Sequence, residues 1–541
     1  MTIENPAPSK AEQEAAGQSL SGMLRAAAGL YADRTAILCG DARWSYARFD
    51  DIVDDLGRGL KAAGVLPGAR VAAIARNNHG FVALRFALAR IGAVFVPVNF
   101  MLMEQDARYI LDHSGATMLF LDAASLDVGL RAADGLISAI YALPGEDGNV
   151  PVRDDMASWQ SLLLEGDRLD DMARGADLLQ IIYTSGTESR PKGAMLTHQA
   201  VLAEYQSCID GCEWDAETIA LHALPLFHCA QLDAMLGPAL QAGATNIITA
   251  DPAASNVIPL IERHGATSFF APPTIWIGML RSPLFDLHDM STLKRAYYGA
   301  SIMPVEVAQE LQRRLPGLRL WNLYGQTEIA PVATILRPED HASHPGSAGR
   351  PVLNVQTRVV DEDMNDVPPG ATGEVVHRSP QLFTGYWNDP DRTAQAFLGG
   401  WFHSGDLATI DADGYITIVD RKKDMINSGG ENVSSREVEE ALYTHPAVAE
   451  AAVIGLPDAR WIEAVTAIVV RRPGTTCSEQ EILDHAAARL SGFKRPKTVR
   501  FVDALPKTAS GKILKRDLRD RVLAQHETAG PLSPEDGMGT E

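Results

Sequence analysis

Cysteine and basic charge are both in short supply in this chain of 541 residues, and each shortage narrows what the protein can be. The five cysteines (Cys39, Cys208, Cys212, Cys229, Cys477) are scattered and odd in number, which excludes a disulfide framework and fits a reducing compartment. Cys208 and Cys212 have the spacing of half a metal site, but no second Cys or His pair stands at ligand spacing, so zinc is not expected. Lys and Arg number 48 against 69 Asp and Glu, a formal net charge of −21. That balance excludes a nucleic-acid partner, which calls for a basic footprint. It does not exclude a nucleotide, which needs only a local nest of donors. Long apolar runs are missing as well. The stretch 81–98 is among the most apolar, yet it carries Arg85 and Arg90 and falls short of a membrane span. The first eighteen residues are polar and rich in Ala and Glu, with no apolar signal core, so a cytoplasmic location is expected.

What remains is ordinary globular material, 46% hydrophobic and 22% charged, and long enough for two or more domains. The first half alternates helical patterns with short apolar runs: a helix at 48–63, a strand at 70–75, a helix at 82–90 and a buried strand at 92–98. Such alternation predicts α/β layers with largely parallel strands. Near Pro351 the texture changes to short β-rich runs at 357–360, 373–378 and 414–419, which predicts a small β subdomain. Beyond Asp424 a compact α+β unit is expected. Ser434 to Glu437 reads as a capping box opening a helix with Val438, Ala441 and Leu442 on one face, and Ser478 to Glu481 repeats that signature. Apolar strands at 448–454 and 465–470 lie between. The domain boundary falls at 420–424.

The sharpest local signal is Ile181-Ile182-Tyr183-Thr184-Ser185-Gly186-Thr187-Glu188-Ser189-Arg190-Pro191-Lys192-Gly193. An apolar strand runs into hydroxyls, a glycine and a lysine, so that backbone N–H groups, hydroxyls and a point charge can converge on an anion. The order Lys192-Gly193 after Pro191 is not that of a Walker A loop. By itself the segment also describes a plain polar loop after a strand.

This segment resembles the phosphate-binding loop of the adenylate-forming superfamily, which includes acyl-CoA synthetases, aryl-CoA ligases, peptide-synthetase adenylation domains and luciferases. It departs from the usual pattern at Glu188-Ser189, where Thr-Gly is common. Further segments resemble the same family in the same order, between about Trp44 and Arg516. Trp321-Asn322-Leu323-Tyr324-Gly325-Gln326-Thr327-Glu328 is similar to the adenine and metal motif. The resemblance implies Tyr324 against adenine with Gly325 beside it, Thr327 at the α-phosphate, and Glu328 with Thr184 on Mg²⁺. Tyr298-Gly299-Ala300-Ser301 resembles the strand between adenine and acyl pocket, with Tyr298 narrowing a position often held by glycine. Trp401 to Leu407 resembles the ribose motif, carried by Asp406. Asp420 to Asp424 resembles the hinge, with Arg421 also reaching the ribose and Lys423 as pivot. Leu505 to Ile513 resembles the C-terminal catalytic loop, carried by Lys512.

The family's reaction implies ATP, Mg²⁺ and coenzyme A. Thr184, Glu328 and Lys512 would be catalytic, and the ATP site would add Ser185, Gly186, Thr187, Lys192, Gly299, Ala300 and Ser301. Ser428, Gly429, Gly430 and Glu431 resemble the loop lining the coenzyme A tunnel. Eight basic residues between Ser491 and Arg516, against Asp503 alone, form a local charge reversal suited to phosphates. The expected fold is α/β: a large N-terminal domain of layered α/β subdomains with a small β subdomain (19–422), then a smaller mobile α+β domain after the hinge (423–526). Flexible ends are expected at 1–18 and 527–541.

Leu224 to Leu232 resembles the acyl-pocket motif, with His228, Cys229, Leu232, Tyr298 and Gly299 as pocket residues. Amino-acid-activating relatives place Asp after the Phe where this chain has His228, so an α-amino acid is disfavoured. The apolar run 221–240 suits a fatty or aryl chain, and a fatty acid is the expectation. His228 is either a base for the thiol or part of the pocket wall. An aryl-CoA ligase, an acyl-AMP ligase loading a carrier protein, a luciferase-like oxygenase and a nucleotide-binding regulatory protein are the competing readings; a homodimer is left open.

Overall fold

The computed structural model describes residues 18–151, 153, 156–184, 190–299, 303–458, 460–508 and 513–529. The chain divides into two compact units. The first comprises Met1–Asp366, Val376–Ser404 and Asp411–Thr417, the second Val367–Val375, Gly405–Ile410 and Ile418–Glu541. The second unit thus draws in three stretches from upstream of the 422/423 boundary read from the sequence: Val367–Val375, Gly405–Ile410 and 418–422.

The first unit is built on two large sheets. One has seven strands, in the order Ala157–Ser158, Ala139–Ala142, Met118–Leu121, Arg70–Ile74, Val94–Val98, Leu178–Thr184 and Lys192–Thr197. All pairs are parallel except the last, an antiparallel hairpin in which Thr184 stands opposite Lys192. The other has nine strands, with Arg295–Gly299 and Arg319–Gly325 as parallel neighbours and Ile219–His222 between Ser268–Phe270 and Thr245–Ile248. Strands Gln356–Val360, Thr372–Arg378, Phe402–Ile410 and Ile416–Arg421 form a four-stranded sheet in that order, which is the small β subdomain.

Local chemistry explains the helix starts. Ser45 caps Tyr46–Ala62, whose Phe49, Ile52, Val53, Leu56 and Leu60 are buried along one face. The helix expected at 82 begins at His79, because Asn78 Oδ1 accepts from the Phe81 N–H at 2.8 Å and sets the start one turn earlier. Every residue of His79–Arg90 is buried. A helix buried all round shows no polar face in sequence, which is why this stretch looked nearly membrane-like.

The two arginines in that helix are fully buried and paired. Arg90 meets Asp50 at 2.5 Å and Asp54 at 2.7 Å, with Ser21 Oγ at 2.7 Å. Arg85 pairs with Asp233, and both side chains have zero exposure. Arg85 also donates to Gln180 Oε1 at 3.1 Å and Tyr205 Oη at 3.0 Å, while Gln180 Nε2 donates to the second Asp233 oxygen at 2.7 Å. Burial raises the Asp233 carboxyl above the ordinary range, and Arg85, Gln180 and Tyr205 oppose that rise. A guanidinium does not surrender its proton in proteins, so the pair is ionic.

The second unit holds a five-stranded sheet. Val448–Asp458 and Ile462–Arg471 form its long antiparallel pair, with Ile426–Ser428 and Thr498–Phe501 also on Ile462–Arg471 and Glu431–Val433 on the outside. Its core gathers Ile426, Val438, Leu442, Val453, Val465, Ala467 and Ile482. Ser478 and Glu481 make the full capping box. At Ser434 only half of one forms, because the Glu437 carboxylate turns to Lys494 at 2.7 Å.

Removing one partner of a buried pair strands a charge. Asp233→Ala is expected to cost about 3–5 kcal/mol, while the double change Arg85→Met with Asp233→Leu recovers most of it. Urea denaturation followed by tryptophan fluorescence checks this.

Candidate functional site

Several of the residues singled out by sequence lie outside the described residues: Ser185, Gly186, Thr187, Ala300, Ser301 and Lys512. The flanks of the first loop are described. Thr184 ends the strand Leu178–Thr184 and Lys192 opens Lys192–Thr197, so the hairpin pairing sets the hydroxyl and the ammonium side by side at the loop's base. Among the described residues Lys192 makes no ion pair; its ammonium lies 5.4 Å from the centre of the Tyr386 ring.

Tyr386 also reaches the second motif. Its hydroxyl donates to Glu328 Oε1 at 2.8 Å. Burial, and after it the charge of Glu328, pushes the phenol's pKa up, so the hydroxyl stays a donor at neutral pH. Tyr386 is held on the free edge of the hairpin: it bridges to Ala194, Met195 N–H donates to the Gly385 carbonyl at 3.0 Å, and Trp387 N–H donates to the Gly193 carbonyl at 2.7 Å. The Phe383 N–H donates to the Glu328 carbonyl at 2.8 Å. Deeper in, Gln381 Nε2 donates to the carbonyls of Val332 at 3.0 Å and Ile329 at 3.3 Å, and to Glu204 Oε2 at 2.7 Å. Glu204 accepts the Val332 N–H as well. It is fully buried, and burial raises its carboxyl well above the ordinary range.

Gly325 closes its strand where only glycine fits, since a Cβ there would sit 1.9 Å from the Pro331 carbonyl oxygen. Tyr324 lies beside it, its ring 6.5 Å from that of buried His377. The Thr327 hydroxyl is 3.3 Å from Cys229 Sγ, so the structure brings the nucleotide motif and the acyl motif into contact. Cys229 is fully buried, and burial raises its thiol pKa, which disfavours a reactive thiolate.

His228 caps the helix that follows, its Nδ1 accepting from the Ala230 N–H at 3.1 Å. That bond engages Nδ1 with the backbone and fixes the orientation of the ring. Leu232 opens a π-helical turn and is fully buried. Tyr298 is 5% exposed, and its hydroxyl is bonded to His341 Nε2 at 3.1 Å, so a fixed phenol occupies the position beside Gly299. Sequence reasoning missed Asn77. It is buried, donates to the carbonyls of Leu224 (2.8 Å) and Thr249 (2.9 Å), and accepts from the Leu226 N–H (2.8 Å). One amide thereby fixes the acyl motif's backbone. Its signal, a polar residue just after an apolar strand, is that of any strand end.

In the second unit Asp406 and Arg421 lie 3.5 Å apart, and the Lys422 N–H donates to the Gly405 carbonyl. Asp420 is buried and accepts from both the N–H and the hydroxyl of Ser435 at 2.6 Å. Lys423 lies in the turn that follows. Ser428 and Glu431 flank a two-residue hairpin turn in which Gly429 (φ +69°) and Gly430 (φ +91°) take the left-handed conformation such turns require. The Gly429 N–H donates to the Trp461 carbonyl at 2.6 Å, and a Cβ there would press the Trp461 ring. The basic stretch is less available than its charge suggested. Lys494, Lys507 and Lys515 pair with Glu437, Glu450 and Glu439, and Arg516 with Asp520. Three glutamates distant in sequence and one nearby aspartate thus pair with four of its eight cations.

A hydroxyl, an ammonium and a carboxylate around a loop at the end of a mostly parallel sheet define an α/β enzyme that handles a phosphorylated nucleotide. The chain belongs to the AMP-binding enzyme family of the adenylate-forming superfamily: a family model described as AMP-binding enzyme matches residues 24–387, and one described as AMP-binding enzyme C-terminal domain matches 437–512. It is 38% identical over 490 residues to a feruloyl-CoA synthase of Amycolatopsis, covering 90% of this chain and 96% of that protein. It is 35% identical over 489 residues to the long-chain-fatty-acid–CoA ligase FadD13 of Mycobacterium tuberculosis, covering 90% and 94%. Its fold matches the crystal structure of the anthranilate CoA ligase AuaEII in complex with anthranoyl-AMP, with a TM-score of 0.87 and 27% identity, over 94% and 99% of the chains.

Asn77→Ala leaves one N–H and two carbonyls without their partner. It is expected to lower stability by about 1–3 kcal/mol. Steady-state kinetics should show the KM for the acid rising more than the KM for ATP.

Proposed function

We propose that this acid–thiol ligase converts a carboxylic acid, ATP and coenzyme A into an acyl-CoA, AMP and pyrophosphate through an acyl-adenylate. The observation that carries the reading is the gathering of Thr184, Lys192 and Glu328 about one hairpin, with Tyr386 touching both charges.

A carboxylate is a poor acyl donor because its oxygens leave badly. Its attack on the α-phosphorus of ATP turns one oxygen into part of a phosphoester and expels pyrophosphate. Two anions must meet, so the enzyme's task is neutralisation and in-line alignment. No base is required, since the acid is already ionised. Lys192 and Thr184 would hold the phosphates, Thr327 the α-phosphate, and Asp406 with Arg421 the ribose; Lys512 would be brought to the reacting centre. Glu328 and Thr184 offer hard oxygens, and Tyr386 occupies only one oxygen of Glu328. Among the described residues no three His, Cys, Asp or Glu cluster as a closed metal cage. Such a sparse donor set fits Mg²⁺, which keeps waters and substrate phosphates and here would neutralise charge. In the second half the thiol attacks the acyl carbonyl and AMP departs, with Ser428 to Glu431 lining the approach and Lys423 as pivot between the two halves.

A fatty acid remains our first substrate class, supported by the apolar run about Leu232 and by the similarity to a long-chain-fatty-acid–CoA ligase. One observation favours an aryl acid instead: the buried, hydrogen-bonded phenol of Tyr298 shortens the space beside Gly299, and a feruloyl-CoA synthase is among the relatives. Five buried free cysteines support a cytoplasmic location. Among the described residues no helix is long and apolar enough to cross a membrane.

Incubation with ATP, Mg²⁺, coenzyme A and a panel of alkyl and aryl acids, read by mass spectrometry, tests the reading. AMP with an acyl-CoA is expected; an acyl-AMP without thioester would favour carrier-protein loading. Lys512→Ala should abolish adenylation yet spare thioester formation from supplied acyl-AMP, and adenylation at the parent rate would refute its role. Lys423→Pro should stop acyl-CoA turnover while pyrophosphate release in the first half-reaction persists.

A further inference from the structure

One residue outside every motif read from the sequence touches both charges of the proposed phosphate site. Tyr386 donates its hydroxyl to Glu328 Oε1 at 2.8 Å and presents its ring to the Lys192 ammonium at 5.4 Å. These contacts follow from how its segment is held. Residues 384–387 lie along the edge of Lys192–Thr197 through three backbone hydrogen bonds, from Thr384 N–H, Met195 N–H and Trp387 N–H. The Tyr386 N–H donates to Thr393 Oγ1 at 2.9 Å, and the Trp387 indole donates to the His113 carbonyl at 3.0 Å. The ring packs edge-on against Phe383 at 4.9 Å, and Phe383 in turn bonds the Glu328 backbone. The side chain therefore has little freedom, and it ties the hairpin to the loop bearing Glu328.

The geometry points to Tyr386 as a positioning residue for the cation and triphosphate. Its hydroxyl fixes the rotation of the Glu328 carboxylate, so that Oε2 is left to face a hard cation. Its ring holds Lys192 by a cation–π contact, and among the described residues Lys192 makes no ion pair. A direct Lys192–Glu328 pair would cancel the two charges that a magnesium–nucleotide complex needs separately. Tyr386 acts as the spacer between them. Outer partners that orient a metal-binding carboxylate typically change metal affinity 10–100-fold when removed. This inference rests on the proposed roles of Glu328 and Lys192, and the experiment separates the two.

ATP binding without acid or coenzyme A is measured by calorimetry across a Mg²⁺ series and in EDTA. Tyr386→Phe keeps the ring and loses the hydroxyl. The Mg²⁺ concentration for half-maximal ATP binding should rise about ten-fold, with ATP binding in EDTA unchanged within about two-fold. Tyr386→Leu should in addition weaken ATP binding in EDTA, because Lys192 loses its aromatic platform. Glu328→Gln should abolish the Mg²⁺ dependence. If Glu328→Gln removes that dependence while Tyr386→Phe keeps the parent midpoint and the parent melting temperature, the positioning role is overturned and the reading of Glu328 stands. If Glu328→Gln leaves the Mg²⁺ dependence intact, the reading of Glu328 falls and the role of Tyr386 falls with it.

Discussion

The buried pair between Arg85 and Asp233 is the constraint about which the first unit is arranged. Exchanging such a pair for apolar side chains is often neutral or better, so its presence is weak support for stability as such. Its consequence is geometric. Arg85 comes from a helix buried on every face, Gln180 from the strand that leads into the phosphate loop, and Asp233 from the π-helical turn just beyond His228 and Cys229. A charge with no access to water must be met on its donors, and Gln180, Tyr205 and Asp233 meet the Arg85 guanidinium here. The strand feeding the nucleotide loop and the turn following the acyl motif are therefore set by the same carboxylate.

A second fixed point lies on the far side of the Glu328 loop. Glu204, Gln381, Phe383 and Tyr386 hold that loop through its backbone at 328, 329 and 332 and through the Glu328 side chain. Three of the four come from a single stretch of six residues that also runs along the hairpin Leu178–Thr184 and Lys192–Thr197. The loop that would carry the metal-binding carboxylate and the loop that would carry the phosphates thus share one support. A disturbance of residues 381–386 reaches both, though none of these residues lies in a motif with recognisable chemistry.

Periodicity was enough to find the elements, and resemblance enough to find the family. The helix at 48–63, the strands at 70–75 and 357–360 and the capping box at Ser478 lie within a few residues of where their patterns put them. What could not be read were the polar groups that serve other chain segments. Asn77 looks like any strand-end asparagine, and its three partners lie 147, 149 and 172 residues away in the chain. Glu204 was likewise unread, because its partners Val332 and Gln381 are distant in the chain. Arg85 and Arg90 ruled out a membrane span; the same residues turn out to organise the core. Tyr386 carries no signal at all, because a Gly-Tyr pair in a polar stretch has no chemistry until the fold sets it against two charges.

Charge shows the same lesson with opposite sign. The dense basic run at 494–516 invited a phosphate reading, yet Glu437, Glu439, Glu450 and Asp520 pair with four of its members. Lys192 stands in no basic cluster, in a chain whose formal charge is −21. Among the described residues it is held by an aromatic face and not by an acid. A cation resting on a ring gives up far less on meeting a phosphate than one that must first leave a carboxylate, because the ion pair's Coulomb energy does not have to be broken. In a strongly acidic protein, seating a single lysine on an aromatic face is a more selective way to make an anion site than raising the local density of positive charge.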